Sequence, residues 1–193
     1  QLENISTYID LLLRWNARIN LTAIRQPEEI VTRHFGESLF AARHLFPQGT
    51  RTEQSSAQSV IDLGSGAGFP GMPIKIWAPE ITLTLIESNQ KKATFLREAI
   101  RALALTNINV FLGRAEHYPT LGAKIVILRA VERFESILPI ATNLVTPKGR
   151  LALLISKGQL ATAQGLTPTF TWTPPKQIPL SSNRILAIGI GEP

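Results

Sequence analysis

The 193-residue chain has no cysteine, one methionine and three histidines. Without cysteine there is no disulfide, no thiolate metal site and no thiol nucleophile. His34, His44 and His117 are separated by intervals that match no metal-ligand spacing, so no metal is expected. No apolar run reaches the ~18 residues of a membrane span. The start shows neither the basic segment nor the long apolar stretch of a secretory signal. A soluble, cytoplasmic protein is therefore the expectation, and a chain opening on Gln1 suggests a missing leading segment. The length suits one α/β domain with an N-terminal helical extension.

Charge is scarce where it is negative. Residues 52–88 carry one Lys or Arg against four acids, whereas residues 89–133 carry eight against three. Lys91, Lys92, Arg97 and Arg101 ride one predicted helix, and Arg114, Lys124, Arg129 and Arg133 fall around later strand ends. A basic groove of this kind favours a phosphate-rich substrate, although a solvated helix face explains the first four equally well.

The most informative stretch is Val60-Ile61-Asp62-Leu63-Gly64-Ser65-Gly66-Ala67-Gly68-Phe69-Pro70-Gly71. Its apolar start reads as a buried parallel strand. Its glycines permit positive φ and let a ligand approach bare backbone. Met72 to Trp77 reads as a short helix with Pro73 in its first turn. Two ligands compete for such a loop. Gly66-x-Gly68-x-x-Gly71, with Glu87 about 20 residues on, matches a dinucleotide fingerprint. Yet Asp62 and Gly64 precede it, and Pro70 and Pro73 remove N–H groups that phosphate would need. An acid followed by alternating glycines suits S-adenosylmethionine, which carries no phosphate.

The rest of the chain alternates strands at 59–63, 82–87, 108–112, 124–129 and 150–155 with helices at about 72–78, 90–104 and 134–145. This implies a parallel sheet with ligands at the strand carboxyl ends. Leu2, Ile5, Ile9, Leu12 and Asn16 recur at helical spacing, and Pro27 opens a second helix through about Leu45. Residues 1–47 thus read as a helical cap and 48–193 as the ligand-binding domain, reached through a polar loop at 48–59. After Lys157-Gly158, two β runs at 169–173 and 184–190 add an antiparallel edge. Glu87 ends the second strand, where its two oxygens suit a ribose diol, and Arg129 ends the fourth. Ser88 or Asn89 caps the following helix.

Trp15-Asn16…Asn20-Leu21-Thr22, Arg33-His34…Glu37-Ser38, the loop Asp62–Pro73, Glu87-Ser88…Lys91-Lys92…Phe95-Leu96, Arg114-Ala115-Glu116, Arg129-Ala130 and Lys157-Gly158 together resemble one family. It is the ribosomal small-subunit methyltransferase G family, also called glucose-inhibited division protein B. The resemblance implies a class I, Rossmann-like methyltransferase fold. It also implies methyl transfer from S-adenosylmethionine to N7 of a guanine in 16S ribosomal RNA, by a monomer acting on that RNA or on the small ribosomal subunit. It further implies a donor site of Asp62, Gly64, Ser65, Gly66, Phe69, Glu87, Ser88, Ala115, Glu116 and Arg129. Arg129, Arg114 and Lys157 would act on the RNA side. The chain departs from the family pattern at Glu37 (usually Asp), Lys124 (commonly an acid) and Leu128 (often Ser), and it looks short before Gln1 and after Gly158.

Guanine N7 has a free lone pair and no proton, so this reaction requires positioning and electrostatics rather than a general base. The missing cysteine argues against C5-pyrimidine methylation. Arg-Ala at the fourth strand end, in place of an Asn-Pro-Pro-Tyr type loop, disfavours exocyclic-amine methylation. Trp15 and Phe35 fall at helical spacing and read as core. His34, Arg33 and Glu37 share the second cap helix, where an ion pair fixing the cap competes with substrate contact as their role.

Overall fold

Alternate residues of a strand face opposite sides of its sheet, and the segment around Asp62 puts this to use. In the computed structural model, which describes residues 1–47, 58–119, 122–131 and 133–193, β1 (Ser59–Leu63) is buried on both faces. Val60 joins one apolar layer, and Ile61 and Leu63 join the other. Beside it run β2 (Thr82–Glu87), β3 (Ile108–Leu112), β4 (Ala123–Arg129) and β5 (Val145–Ser156), with β6 (Phe170–Trp172), β7 (Lys176–Gln177) and β8 (Arg184–Gly191) beyond. The order is β3-β2-β1-β4-β5-β8-β6, with β7 also paired to β8. β1 to β5 are parallel, and β8 lies antiparallel to β5. Order reverses between β1 and β4, which opens a crevice at their carboxyl ends.

One layer packs α1 (Leu2–Asn16), α3 (Glu37–Leu45), α4 (Gly71–Trp77) and α5 (Gln90–Ala102) against Val60, Leu83, Leu85, Ile125 and Ile127. The cap helices therefore share one continuous core with the sheet. The other layer packs α6 (Phe134–Asn143) and α7 (Leu160–Leu166) against Ile61, Leu63, Val126 and Leu128. The expected strands and connecting helices all form, most of them within a residue or two. The expected antiparallel addition forms as β8, which lies between β5 and the edge strand β6.

Three features depart from expectation. The second cap helix is not uniform: α2 (Pro27–Glu29) leads into a π-helical stretch, Ile30–Gly36, before α3. The wider turn buries Ile30, His34, Phe35, Glu37 and Ser38 together, and π insertions of this kind gather at functional sites. β5 begins at Val145, earlier than expected, because α6 stops at Asn143. Helix α7 also appears between Gly158 and the first of the two β runs, where no helix was expected. Its start is set by a capping box in which Ser156 and Gln159 bond each other across a 3-10 turn at Lys157–Gln159. The polar loop expected at 48–59 lies outside the described residues up to 57.

Candidate functional site at the carboxyl ends of β1, β2, β4 and β5

Gly64, Gly66 and Gly68 adopt φ of 74, 57 and 85°, the left-handed region that glycine enters freely. The chain thereby folds back on itself: Gly64 and Ser65 donate to Ile86 O, and Gly68 and Phe69 donate to Ser65 O. Over Gly66 the nearest heavy atom to an added Cβ is a backbone oxygen at 3.9 Å. That backbone is bare and open.

Asp62 supports the loop from beneath. It is 1% exposed, its Oδ2 accepts from Gly71 N–H at 3.0 Å, and its Oδ1 is buried without a partner among the described residues. An added Cβ on Gly71 would lie 2.6 Å from Oδ2, so the close approach requires glycine there. Burial pushes the Asp62 carboxyl up to about 7, against the opposing pull of the Gly71 N–H bond and the nearby Ser65 hydroxyl. Expected among the donor-binding residues, this acid lies beneath the glycine turn and braces it. Ser65 is likewise turned inward, its hydroxyl donating to Asp62 O at 2.9 Å.

Glu87 is 7% exposed at the end of β2. Its Oε2 accepts from Gly66 N–H at 2.8 Å and its Oε1 from Asn89 N–H at 2.7 Å. The carboxylate is thus fixed beside the open loop, and each oxygen retains a second lone pair. Asn89, not Ser88, caps α5, accepting from Lys91 and Lys92 N–H. Ser88 and Glu116 are exposed, whereas Ala115 is buried in the 3-10 turn Ala115–His117 that follows β3.

Phe69 does not face the crevice. Its ring lies between Tyr8, at 5.3 Å, and His34, at 4.5 Å, with both pairs stacked. The Tyr8 hydroxyl donates to Ala67 O at 2.5 Å. An aromatic key from the glycine loop thus sits in a lock made by the cap. The Trp15-Asn16…Asn20-Leu21-Thr22 motif serves the same joint. Asn16 closes the turn by accepting from Leu21 and Thr22 N–H, and Thr22 Oγ1 then meets His34 Nε2 at 2.8 Å. Burial, aided by the charges of Arg129, Arg33 and Arg184, pulls His34 down to about 3. It is therefore a neutral ring at neutral pH.

At the end of β4, Arg129 donates from Nε to Glu37 Oε2 at 3.0 Å and from Nη2 to Arg33 O at 3.1 Å. Arg184, at the start of β8, brings its Nε within 3.0 Å of Glu37 Oε1. That contact is an ion pair out of line for a hydrogen bond, and among the described residues the Nε has no hydrogen-bond partner. Glu37 therefore joins the cap to β4 and β8. The sequence placed it beside Arg33 and His34; the structure pairs it with two arginines far along the chain. Lys157 is exposed just past β5, beside β4, whereas Arg114 is exposed past β3, three strands from β4, so the sheet does not bring Arg129, Arg114 and Lys157 to adjoining strands. Just past β4 the chain turns at Ala130 and Arg133, both non-glycine residues at positive φ of 50 and 55°, a strain of the sort that collects at working sites.

Residues 1–184 match the family model described as rRNA small subunit methyltransferase G, GidB. The chain belongs to that family. Curated relatives carrying the name Ribosomal RNA small subunit methyltransferase G include one from Nitrosomonas europaea, 41% identical over 71% of this chain and 60% of its own length. Another, from Xanthomonas campestris pv. campestris, is 42% identical over 78% of this chain and 66% of its own. This member of the methyltransferase G family thus spans a little under two thirds of the length of those relatives. Its fold is shared by a SAM-dependent methyltransferase from Aquifex aeolicus, at TM-score 0.64 and 12% identity, covering 86% of this chain and 93% of that one. It is shared also by a mutant of MtNAS in complex with S-adenosylmethionine, at TM-score 0.67 and 13% identity over 97% and 76%.

Among the described residues, no helix is long and apolar enough to cross a membrane, and no group of three metal-ligating side chains gathers. Sequence reasoning missed Arg184 and Gln159. Arg184 merely opens a β run, and Gln159 lies in a short helical turn with no hydrophobic period to announce it.

Proposed function

We propose that this chain transfers a methyl group from S-adenosylmethionine to N7 of a guanine in 16S ribosomal RNA. Membership of the methyltransferase G family over residues 1–184 carries this reading, and the geometry of the site supports it. S-adenosylmethionine fits the open backbone at Gly66 and the fixed Glu87 carboxylate, which offers its remaining lone pairs to a ribose diol. The group supplies an electrophilic methyl on a sulfonium. Asp62 and Ser65 hold the loop in shape, and the turn at Ala115 and Glu116 borders the place for the adenine ring. A pyrophosphate would meet a carboxylate at Glu87 and a proline at the helix start, which disfavours a dinucleotide.

On the acceptor side, a lone pair at N7 needs no base, so the task of the protein is to orient the guanine and exclude water. Arg114 and Lys157 are exposed where RNA phosphates would pass. Arg129, held by Glu37, contributes a fixed positive charge at the end of β4. The setting we infer is a cytoplasmic monomer acting on small ribosomal subunits or their RNA.

The test is incubation with labelled S-adenosylmethionine and small subunits from cells lacking the endogenous activity, followed by mapping of the modified base. Label on N7 of a single 16S guanine is the expected result. Calorimetric binding of NAD with no response to S-adenosylmethionine would overturn the reading.

A further inference from the structure

Beside the donor loop, a cavity of about 80 Å³ opens between the carboxyl ends of β4 and β5. Leu128, Ala130, Val131 and Leu154 give it apolar walls, and Ser156, Gln159 and Arg184 give it a polar end. It shares Phe134 and Gln159 with a wider surface groove of about 430 Å³ that also touches Arg133 and Thr162. The cavity adjoins the donor loop directly, because a Cβ added at Gly64 would lie 3.0 Å from Val131 Cγ1.

At the polar end the Gln159 amide carries donors that nothing else among the described residues uses. Gln159 Oε1 accepts from Ser156 N–H at 3.0 Å and from the Ser156 hydroxyl at 2.9 Å. A backbone N–H can only donate, so this bond fixes which end of the amide is oxygen. The Gln159 NH2 is left without an acceptor among the described residues. Ser156 is paired across the sheet with Arg184, whose Nε is ion-paired to Glu37 and whose Nη2 donates to Leu154 O at 3.4 Å. The free Gln159 donors and the Arg184 charge therefore meet at one end of an apolar slot.

We propose that the wider groove holds the acceptor base with its N7/O6 edge turned into this slot, Phe134 lying against its ring and Gln159 donating to guanine O6 beside the Arg184 charge. The proposal rests on the guanine-N7 reading and adds the residues that choose the base. On guanine, N7 and O6 lie side by side as acceptors, whereas adenine has an amine donor at the 6-position. A base with N7 turned toward the donor loop presents O6 to the neighbouring donors. Adenine in the same pose sets donor against donor and leaves buried groups unpaired.

Gln159→Glu keeps the oxygen that Ser156 requires and replaces the NH2 by an acceptor. With small subunits as substrate, kcat/KM for guanine is expected to fall about tenfold or more. S-adenosylmethionine affinity by calorimetry and the thermal midpoint should stay at wild-type values. Preference for guanine over adenine at the target position should narrow by a similar factor. Phe134→Leu lies outside the capping box and carries the same expectation for guanine turnover, so a folding defect in one variant leaves the other to decide. Undiminished guanine turnover in both variants, beside an active wild type, overturns the slot alone. A loss matched by equal loss of donor affinity also overturns it. A wild-type enzyme that methylates no guanine overturns the slot and the reading beneath it together.

Discussion

The two halves of the site satisfy their charges in different ways. On the β1–β2 side, carboxylates are held by backbone N–H groups close in sequence: Glu87 by Gly66 and Asn89, Asp62 by Gly71. On the β4–β5–β8 side, arginines are held by a carboxylate from the cap, with 92 residues between Glu37 and Arg129. The first half takes its polar contacts from one loop and its neighbouring strand end, and leans on the cap through Tyr8 and the aromatic lock at Phe69. The second exists only when cap, central sheet and terminal strand have all assembled. The Glu37 half is thereby coupled to the terminal strand as well as to the cap, while the Glu87 half depends on the cap alone.

Gly68→Ala should break the first half most severely. It places a side chain at φ 85° with its Cβ overlapping the Tyr8 hydroxyl. Strain and overlap together predict a loss of about 3 kcal/mol or more, read as a lower denaturant midpoint, with loss of donor binding. Glu37→Gln should break the second half alone. The Arg129 and Glu37 side chains are 8% and 4% exposed, and burial already works against the Arg129 charge, which Glu37 supports. Removing one partner of a buried pair predicts a destabilisation of about 2–4 kcal/mol. Under conditions where the variant stays folded, methyl transfer should fall while S-adenosylmethionine affinity holds. Equal loss of both would show that the two halves are not separable.

The same contrast explains what the sequence disclosed. The glycine loop, Glu87 and the strand–helix alternation are contiguous patterns, and each appears in the structure where its residues predicted it. Arg129 was visible as a charge ending an apolar strand. Its partner was not, because nothing in Glu37-Ser38-Leu39 says which arginine, 92 or 147 residues later, will be brought to it. Asp62 and Phe69 misled in an instructive way. Both belong to the ligand loop, but one braces it from below and the other locks it to the cap. A motif records which residues are needed and not which way they face. Gln159 was hidden for a different reason: the helix it leads into is only seven residues long and begins at a cap rather than at an apolar stripe.

A finer probe of the joint between cap and loop uses pH. His34 falls from 6.5 to about 3 in the folded chain, so between those values the unfolded state binds more protons and stability rises with pH. Asp62 rises from 3.8 to about 7. Over that window the folded state binds more protons, and stability falls as pH rises. The two windows overlap from about pH 4 to 6.5 with opposite slopes, so the wild type should show a muted dependence there. Asp62→Asn can still accept from Gly71 and should leave the His34 slope exposed, so its thermal midpoint climbs from about pH 4 to 6.5. His34→Gln should leave the Asp62 slope exposed, and its midpoint should decline over the same range. Parallel profiles for the two variants would mean that cap and loop do not bury these groups as a unit, and the aromatic lock at Phe69 would lose its role in joining them.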